Sequence, residues 1–294
     1  MNPAAVLTRL LAAGCLVAAA LPAAASGGAT TAAAGAAPCE RAVYLTFDTG
    51  HMGVAPLVAE VLKRHGVRAT FFLANERTRN GGGSLDDEWA PWWRERAAEG
   101  HAFGSHTWDH DVWQADAPDG ALRVRPTMGP QAGRARTLSP AAYCEELDRP
   151  ARRFETMTSQ RMQAWFRAPG GRTSPALLSA AAACGYTHVG WSPAGFLGDE
   201  LPSDRFPNAS LLERALRDIR PGDTLLAHLG IWSRQDPWAP AVLEPLISGL
   251  KARGMCFATL REHPVHGRAG ARLPPPRAEA PPAGGGAGSQ GVLR

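Results

Sequence analysis

An alternation of short apolar runs with longer stretches of helical pattern constrains this chain more than any other feature. The apolar runs are AVYLTF (42–47), ATFFLA (69–74), HAFGS (101–105), QAWF (163–166), YTHVGW (186–191), TLLA (224–227) and MCFATL (255–260). Between them the pattern predicts helices near 54–65, 88–99, 140–158, 174–184, 209–219 and 239–253. Ser139-Pro140 and Ser174-Pro175 each join an N-cap residue to a proline at the first helical position, and KRHG and AACG supply glycine after a last turn. Strands separated by helices pair in parallel, so seven such units predict an α/β barrel or a doubly wound sheet. Two connections, 75–87 and 111–138, exceed simple turns, and loops of that length are usually functional.

The ends of the chain read differently from its body. Residues 1–26 have the form of an export signal: Arg9 is the one charge, residues 10–21 are apolar, and AAAS offers small residues for cleavage. The apolar part is shorter than the roughly 20 residues a membrane span needs, so no stable membrane insertion is expected. LAAGC at Cys15 would suit lipidation less well, because Ala12 is a poor residue there and the apolar run before Cys15 is very short. Residues 27–37 are Gly/Ala/Thr-rich and 267–294 are Pro/Gly/Ala-rich, compositions that bury too little apolar surface to fold. The domain is therefore expected over 38–266, as an exported, periplasmic or extracellular monomer.

Of 31 basic and 27 acidic residues, Arg9 belongs to the signal, and four Arg and Glu279 belong to the tail, leaving 26 of each sign in the body. A neutral body excludes nucleic acid as a partner, since that binding rests on phosphate neutralisation. Four cysteines follow the signal, at 39, 144, 184 and 256, and no C-x-x-C occurs. An even count in an exported chain permits two disulfides in three connectivities. Cys39 precedes the first strand and Cys256 opens the last, while Cys144 and Cys184 fall in consecutive helices, which favours 39–256 with 144–184; free buried thiols are the alternative.

Ionisable residues follow four of the strands directly: Asp48, His106, Arg167 and His228. Each alone reads as a turn residue, an ion pair or a core histidine. Together they converge, because barrels and open parallel sheets carry their sites at the carboxyl ends of the strands. HTWDH (106–110) spaces His106 and His110 by four, which on a helical turn would put both imidazoles on one face, a metal-chelating arrangement. FDTG (47–50) also resembles the motif of an aspartic protease. That chemistry needs two carboxylates sharing a proton, yet the chain has no second Asp-Thr/Ser-Gly, and its alternation is wrong for an all-β enzyme. A serine hydrolase is excluded by the absence of G-x-S-x-G.

Taken in order, TFDTG, SHTWDH, RAPGG and LLAH resemble the TFDD-G, H-[ST]-x-x-H, R-x-P-[YG] and L-x-H motifs of the polysaccharide deacetylase family, the NodB-homology hydrolases. The resemblance covers about residues 42–260 and implies a distorted (β/α) barrel of about seven strands. It implies hydrolysis of an N-acetyl, less often O-acetyl, group on a glycan such as peptidoglycan, a chitin-like polymer or an exported polysaccharide. The implied cofactor is one divalent metal, zinc or cobalt, held by His106 and His110. Asp48 would be the general base, His228 the acid that protonates the leaving amine, Arg167 the partner of Asp48, and Gly170 N–H an oxyanion donor.

Two departures stand out. Thr49 occupies the place of the third metal ligand, usually Asp; a subgroup resembling muramic-acid deacetylases has Asn there. Asp109, Asp111 or His51 could substitute. In the D-x-x-D-W motif Trp191 is present, but Gly190 replaces the acid expected to pair with the arginine. Trp89, Trp92, Trp93, Trp232 and Trp238 are candidates for stacking on sugar, with core packing the commoner fate; Trp232, close behind His228, is the best placed to line a cleft. The rival readings are a non-catalytic glycan-binding relative and a metal-free amidohydrolase acting on a small cyclic amide.

Overall fold

The computed structural model describes residues 39–271. The expected export signal, the linker 27–37 and the part of the expected tail beyond residue 271 lie outside them, whereas residues 267–270, expected to be unstructured, are helical. The seven expected strands form as β1 (Ala42–Asp48), β2 (Thr70–Leu73), β3 (Ala102–Ser105), β7 (Trp165–Phe166), β8 (Thr187–His188), β9 (Thr224–His228) and β10 (Cys256–Phe257). All their pairings are parallel, with β9, β1, β2, β3, β7 and β8 side by side and β10 bonded to the start of β1. Past β8 the chain runs irregularly back along the free edge of β9, where Ser192 N–H donates to Thr224 O at 3.0 Å and Phe196 bridges Leu226. The sheet thus curls into a distorted barrel.

The helices between strands match the expected places: α1 (Ala55–Arg64), α2 (Ala90–Ala98), α3 (Pro140–Thr158), α4 (Pro175–Ala183), α5 (Asn208–Asp218) and α6 (Leu243–Ala252), with a short α7 (His266–Gly270) last. Ser139 and Ser174 cap α3 and α4, their hydroxyls accepting from Ala142 and Leu177 N–H at 3.2 and 3.1 Å, with proline beginning each helix. The stretch 111–138 is not the loop expected from its length. It forms an antiparallel meander, β4 (Asp111–Asp116), β5 (Leu122–Pro126) and β6 (Arg136–Leu138). The alternation that marks it is short and partly charged, with Leu122, Val124 and Pro126 buried and Arg123 and Arg125 exposed, so composition masks the strands.

Strand parity decides what faces the barrel interior. Val43, Leu45 and Phe47 pack outward with α1 and α6 in the main core, whereas Tyr44 joins Phe72, Ala102, Trp165, Val189 and Leu260 in an inner cluster. Asp48 shares the parity of Tyr44, His106 that of Ala102, and Arg167 that of Trp165, so all three point inward at the carboxyl end of the sheet.

Cys39–Cys256 and Cys144–Cys184 are bonded, with Cα atoms 6.2 and 5.9 Å apart, the favoured connectivity. The second ties α3 to the end of α4 across 40 residues. Replacing Cys144 and Cys184 by Ala is expected to lower stability by about 2–4 kcal/mol in urea unfolding, most of it through the freed unfolded chain.

Candidate active site

Asp48, at the end of β1, is buried, as are His106 and Arg167. Arg167 Nη1 donates to Asp48 Oδ1 at 2.7 Å, and His106 Nε2 lies 3.5 Å from Asp48 Oδ2. Burial pushes the Asp48 carboxyl up, but Arg167 above all, and the charge of His228 with it, outweigh burial and hold the group below the usual carboxylate range. The partner that Arg167 lacks in the sequence, where Gly190 stands for an acid, is backbone: Nε donates to Val189 O and Nη2 to Gly190 O, both at 3.1 Å. Its guanidinium also lies 4.2 Å from the Phe72 ring and 5.7 Å from that of Trp191. Two carbonyls, one carboxylate and two ring faces therefore satisfy a fully buried cation.

The two imidazoles of HTWDH meet, but not on a helix. Thr107 and His110 have φ of 59° and 52°, left-handed values that break any helical turn, and the ring centroids come 4.8 Å apart. The His106 Nδ1 is 2.9 Å from Arg167 O. A carbonyl only accepts, so Nδ1 carries the proton; burial keeps the ring neutral, its pKa lowered to about 4, and Nε2 presents a lone pair. That lone pair faces an Asp48 oxygen, an arrangement of two acceptors that a cation would reconcile. His110 Nδ1 sits 2.7 Å from Thr127 Oγ1, which orients the second ring. Two imidazole nitrogens beside a carboxylate suit zinc or cobalt, so the donor chemistry fits the implied metal. Among the described residues, no three His, Cys, Asp or Glu side chains are already disposed around one ion.

The expected substitutes for a third ligand are committed elsewhere. Arg136 Nη2 approaches Asp111 at 2.8 Å and Asp109 at 3.7 Å, with Glu146 at 3.2 Å, so both aspartates belong to a buried ion cluster. His51 Nδ1 accepts from Gly53 N–H at 2.9 Å, and burial followed by the Arg79 charge lowers its pKa. Thr49 is buried, with Oγ1 accepting from Ala74 N–H at 3.1 Å. Glu76, unremarked in the sequence, is buried beside this group with its carboxylate on Gly50 N–H. Gly50 itself must be glycine: its φ is 109°, and a Cβ there would collide with Gly230 O.

His228, at the end of β9, is held by a residue the motifs do not mark. Asp199 Oδ1 lies 3.1 Å from His228 Nδ1, and Oδ2 accepts from His228 N–H at 2.7 Å. Burial alone would lower the His228 pKa, but Asp199, Asp48 and Glu200 raise it to about 9, so the ring is protonated at neutral pH. Glu200 Oε2 stands 3.6 Å from Nε2, and burial raises the Glu200 pKa. Asp199 comes from the irregular segment that returns to β9; an Asp-Glu pair in such a segment carries no periodic or motif signal. Gly170 falls in a single 3-10 turn, Pro169–Gly171, after Arg167. Of the tryptophans, Trp93 and Trp238 are core, Trp89 and Trp92 pack against it, and Trp191 is half-buried. Trp232 is 49 % exposed, its ring 5.1 Å from that of His51.

The model of the polysaccharide deacetylase family matches residues 35–189. A chitooligosaccharide deacetylase of Azorhizobium caulinodans is 28 % identical over 75 % of this chain and 93 % of its own length. The peptidoglycan-N-acetylmuramic acid deacetylase PdaA of Bacillus subtilis is 25 % identical over 75 % of this chain and 70 % of its own. Among solved structures, a family 4 acetyl xylan esterase from Clostridium thermocellum, in complex with a cobalt ion, matches with a TM-score of 0.56, 23 % identity, and coverage of 75 % and 88 % of the two chains.

Proposed function

Because the chain belongs to the polysaccharide deacetylase family, we propose that it removes N-acetyl groups from an extracytoplasmic glycan with the help of one divalent metal, zinc or cobalt. One observation carries the reading: Asp48, His106, Arg167 and His228 end four neighbouring or near-neighbouring strands of one curled sheet and are linked through Asp48. His106 and His110 would hold the ion through Nε2. When bound there, a divalent cation supplies Lewis-acid polarisation of the acetyl carbonyl and makes a nearby water acidic enough to deprotonate near neutrality.

The remaining steps belong to three side chains and one backbone N–H. Asp48 accepts the proton of the attacking water, and Arg167 keeps its carboxylate charged and aimed. The Gly170 N–H donates to the oxyanion as the tetrahedral centre forms. His228, charged through Asp199, gives its Nε2 proton to the departing amine, and the acetyl group leaves as acetate. Trp191 and Trp232 supply apolar faces for the sugar rings. Two disulfides agree with an oxidising compartment and hence with export.

The test is elemental analysis of the purified protein together with acetate release from peptidoglycan and chitooligosaccharides, with and without chelator. About one zinc or cobalt per chain and release that stops on chelation, then returns with added metal, are the expected results. Undiminished release after complete metal removal would sink the metal mechanism. Metal-free protein that binds these glycans without releasing acetate would make the chain a binding relative.

A further inference from the structure

We infer that the cleft selects glycans whose sugars carry carboxylates, and that Arg77, Arg125 and Arg172 read that charge; this rests on the deacetylase reading and specifies its substrate class. Two surface grooves meet at Thr127, the residue that holds His110. Arg77 and Trp232 line one, Arg125 and Arg172 the other, and neither groove is lined by an acidic side chain. The body as a whole is balanced at 26 charges of each sign, after setting aside Arg9, the four tail Arg and Glu279, so cations bordering both grooves are not a by-product of a basic protein.

None of the three arginines is paired with an acid among the described residues, and all three are exposed. Their placement is built by the fold. Arg125 occupies the exposed face of β5, and its Nε donates to Gly133 O at 2.9 Å, which leaves the Nη groups free to face a ligand. Arg77 holds its guanidinium 5.0 Å from the Trp232 ring centroid, so a stacking face and a cation border the same groove. Glu200 stands 3.6 Å from His228 Nε2, where the departing nitrogen gathers positive charge, and it lines neither groove. A glycan running past Thr127 along these grooves meets arginines on both, and a planar carboxylate is what a guanidinium binds best.

The carboxylate could be a lactyl ether, as on muramic acid, or the C6 group of a uronic acid, and the assay separates them. Four probes are compared: peptide-free peptidoglycan strands, the same strands with their carboxylates amidated, N-acetylheparosan oligosaccharides, and chitopentaose. Acidic strands are expected to exceed their amidated counterparts in kcat/KM by about fivefold to tenfold at low salt, with the gap closing as salt rises. In R77Q/R125Q/R172Q the ratio should fall toward one, through KM rather than kcat. A preference confined to peptidoglycan strands assigns the lactyl group, and one confined to heparosan the uronic acid. Equal use of acidic and amidated strands together with no preference for heparosan over chitopentaose, or a preference that survives the triple substitution, overturns the proposal. If no glycan yields acetate, the deacetylase reading fails instead, and titration calorimetry with the same four probes still decides the charge preference, tighter binding of the acidic forms supporting it and equal binding overturning it.

Discussion

Asp48→Asn is expected to lower acetate release by at least about a thousandfold while leaving bound metal in place. The size follows from the loss of a general base. The substitution is nearly isosteric, and the amide oxygen can still accept from Arg167 Nη1, now 2.7 Å from Asp48 Oδ1. The charge cannot be replaced. Arg167 is fully buried, with two backbone carbonyls as its other partners, so removing its carboxylate should cost about 3 kcal/mol. For a domain of this size that corresponds to a fall in Tm of several degrees. Metal content divides two roles that the geometry brings close together. Asp48 Oδ2 faces the bare His106 Nε2 at 3.5 Å, so loss of metal in Asp48→Asn would make Asp48 a ligand, not the base. His106→Ala is the control, and it should lose the metal itself.

How much of this site the sequence carried depends on what kind of signal each residue left. Asp48, His106, Arg167 and His228 follow apolar runs directly, and the alternation alone places such residues at one end of a parallel sheet. Their inward direction follows from parity, which an unbroken apolar run such as AVYLTF conceals because both faces of a barrel strand are buried. Motif spacing brought His106 and His110 together for a wrong reason: left-handed Thr107 and His110, rather than a helical turn, set the rings side by side. The meander at 111–138 escaped because its strands are short and its exposed face is arginine. Asp199 and Glu76 escaped because each stands on an irregular segment, and only the return of residues 192–197 to β9, or the closure of the turn at Gly50, gives such an acid a partner. Local pattern reports what neighbouring residues can do together; contacts made by loop carboxylates across the barrel leave no local trace.

Asp199→Asn probes such a contact, and its effect should appear in pH dependence before it appears in structure. His228 acts as an acid, so activity requires its protonated form and is lost as pH rises through the folded pKa, about 9. Burial opposes that charge and is the largest influence on the ring; Asp199 is the foremost of the groups that overcome it, ahead of Asp48 and Glu200. An opposing charge at this range moves a pKa by roughly 1–3 units. With Asn at 199, the alkaline limb of kcat/KM should therefore move down by about two units, toward or past the ordinary histidine value, and turnover at pH 8 should fall about tenfold or more. The Asn side chain can still accept from His228 Nδ1–H, so ring orientation is largely kept and the acid limb, which reports Asp48, should stay where it is. Stability carries the same sign. A raised histidine pKa contributes stability in full below the unfolded value near 6.5 and loses it as pH rises through about 9, so the variant should be less stable than the parent at pH 6 and approach it by pH 10. An alkaline limb that does not move would mean that the departing nitrogen takes its proton from another group, and Glu200, beside Nε2 with a raised pKa, would then be the residue to replace.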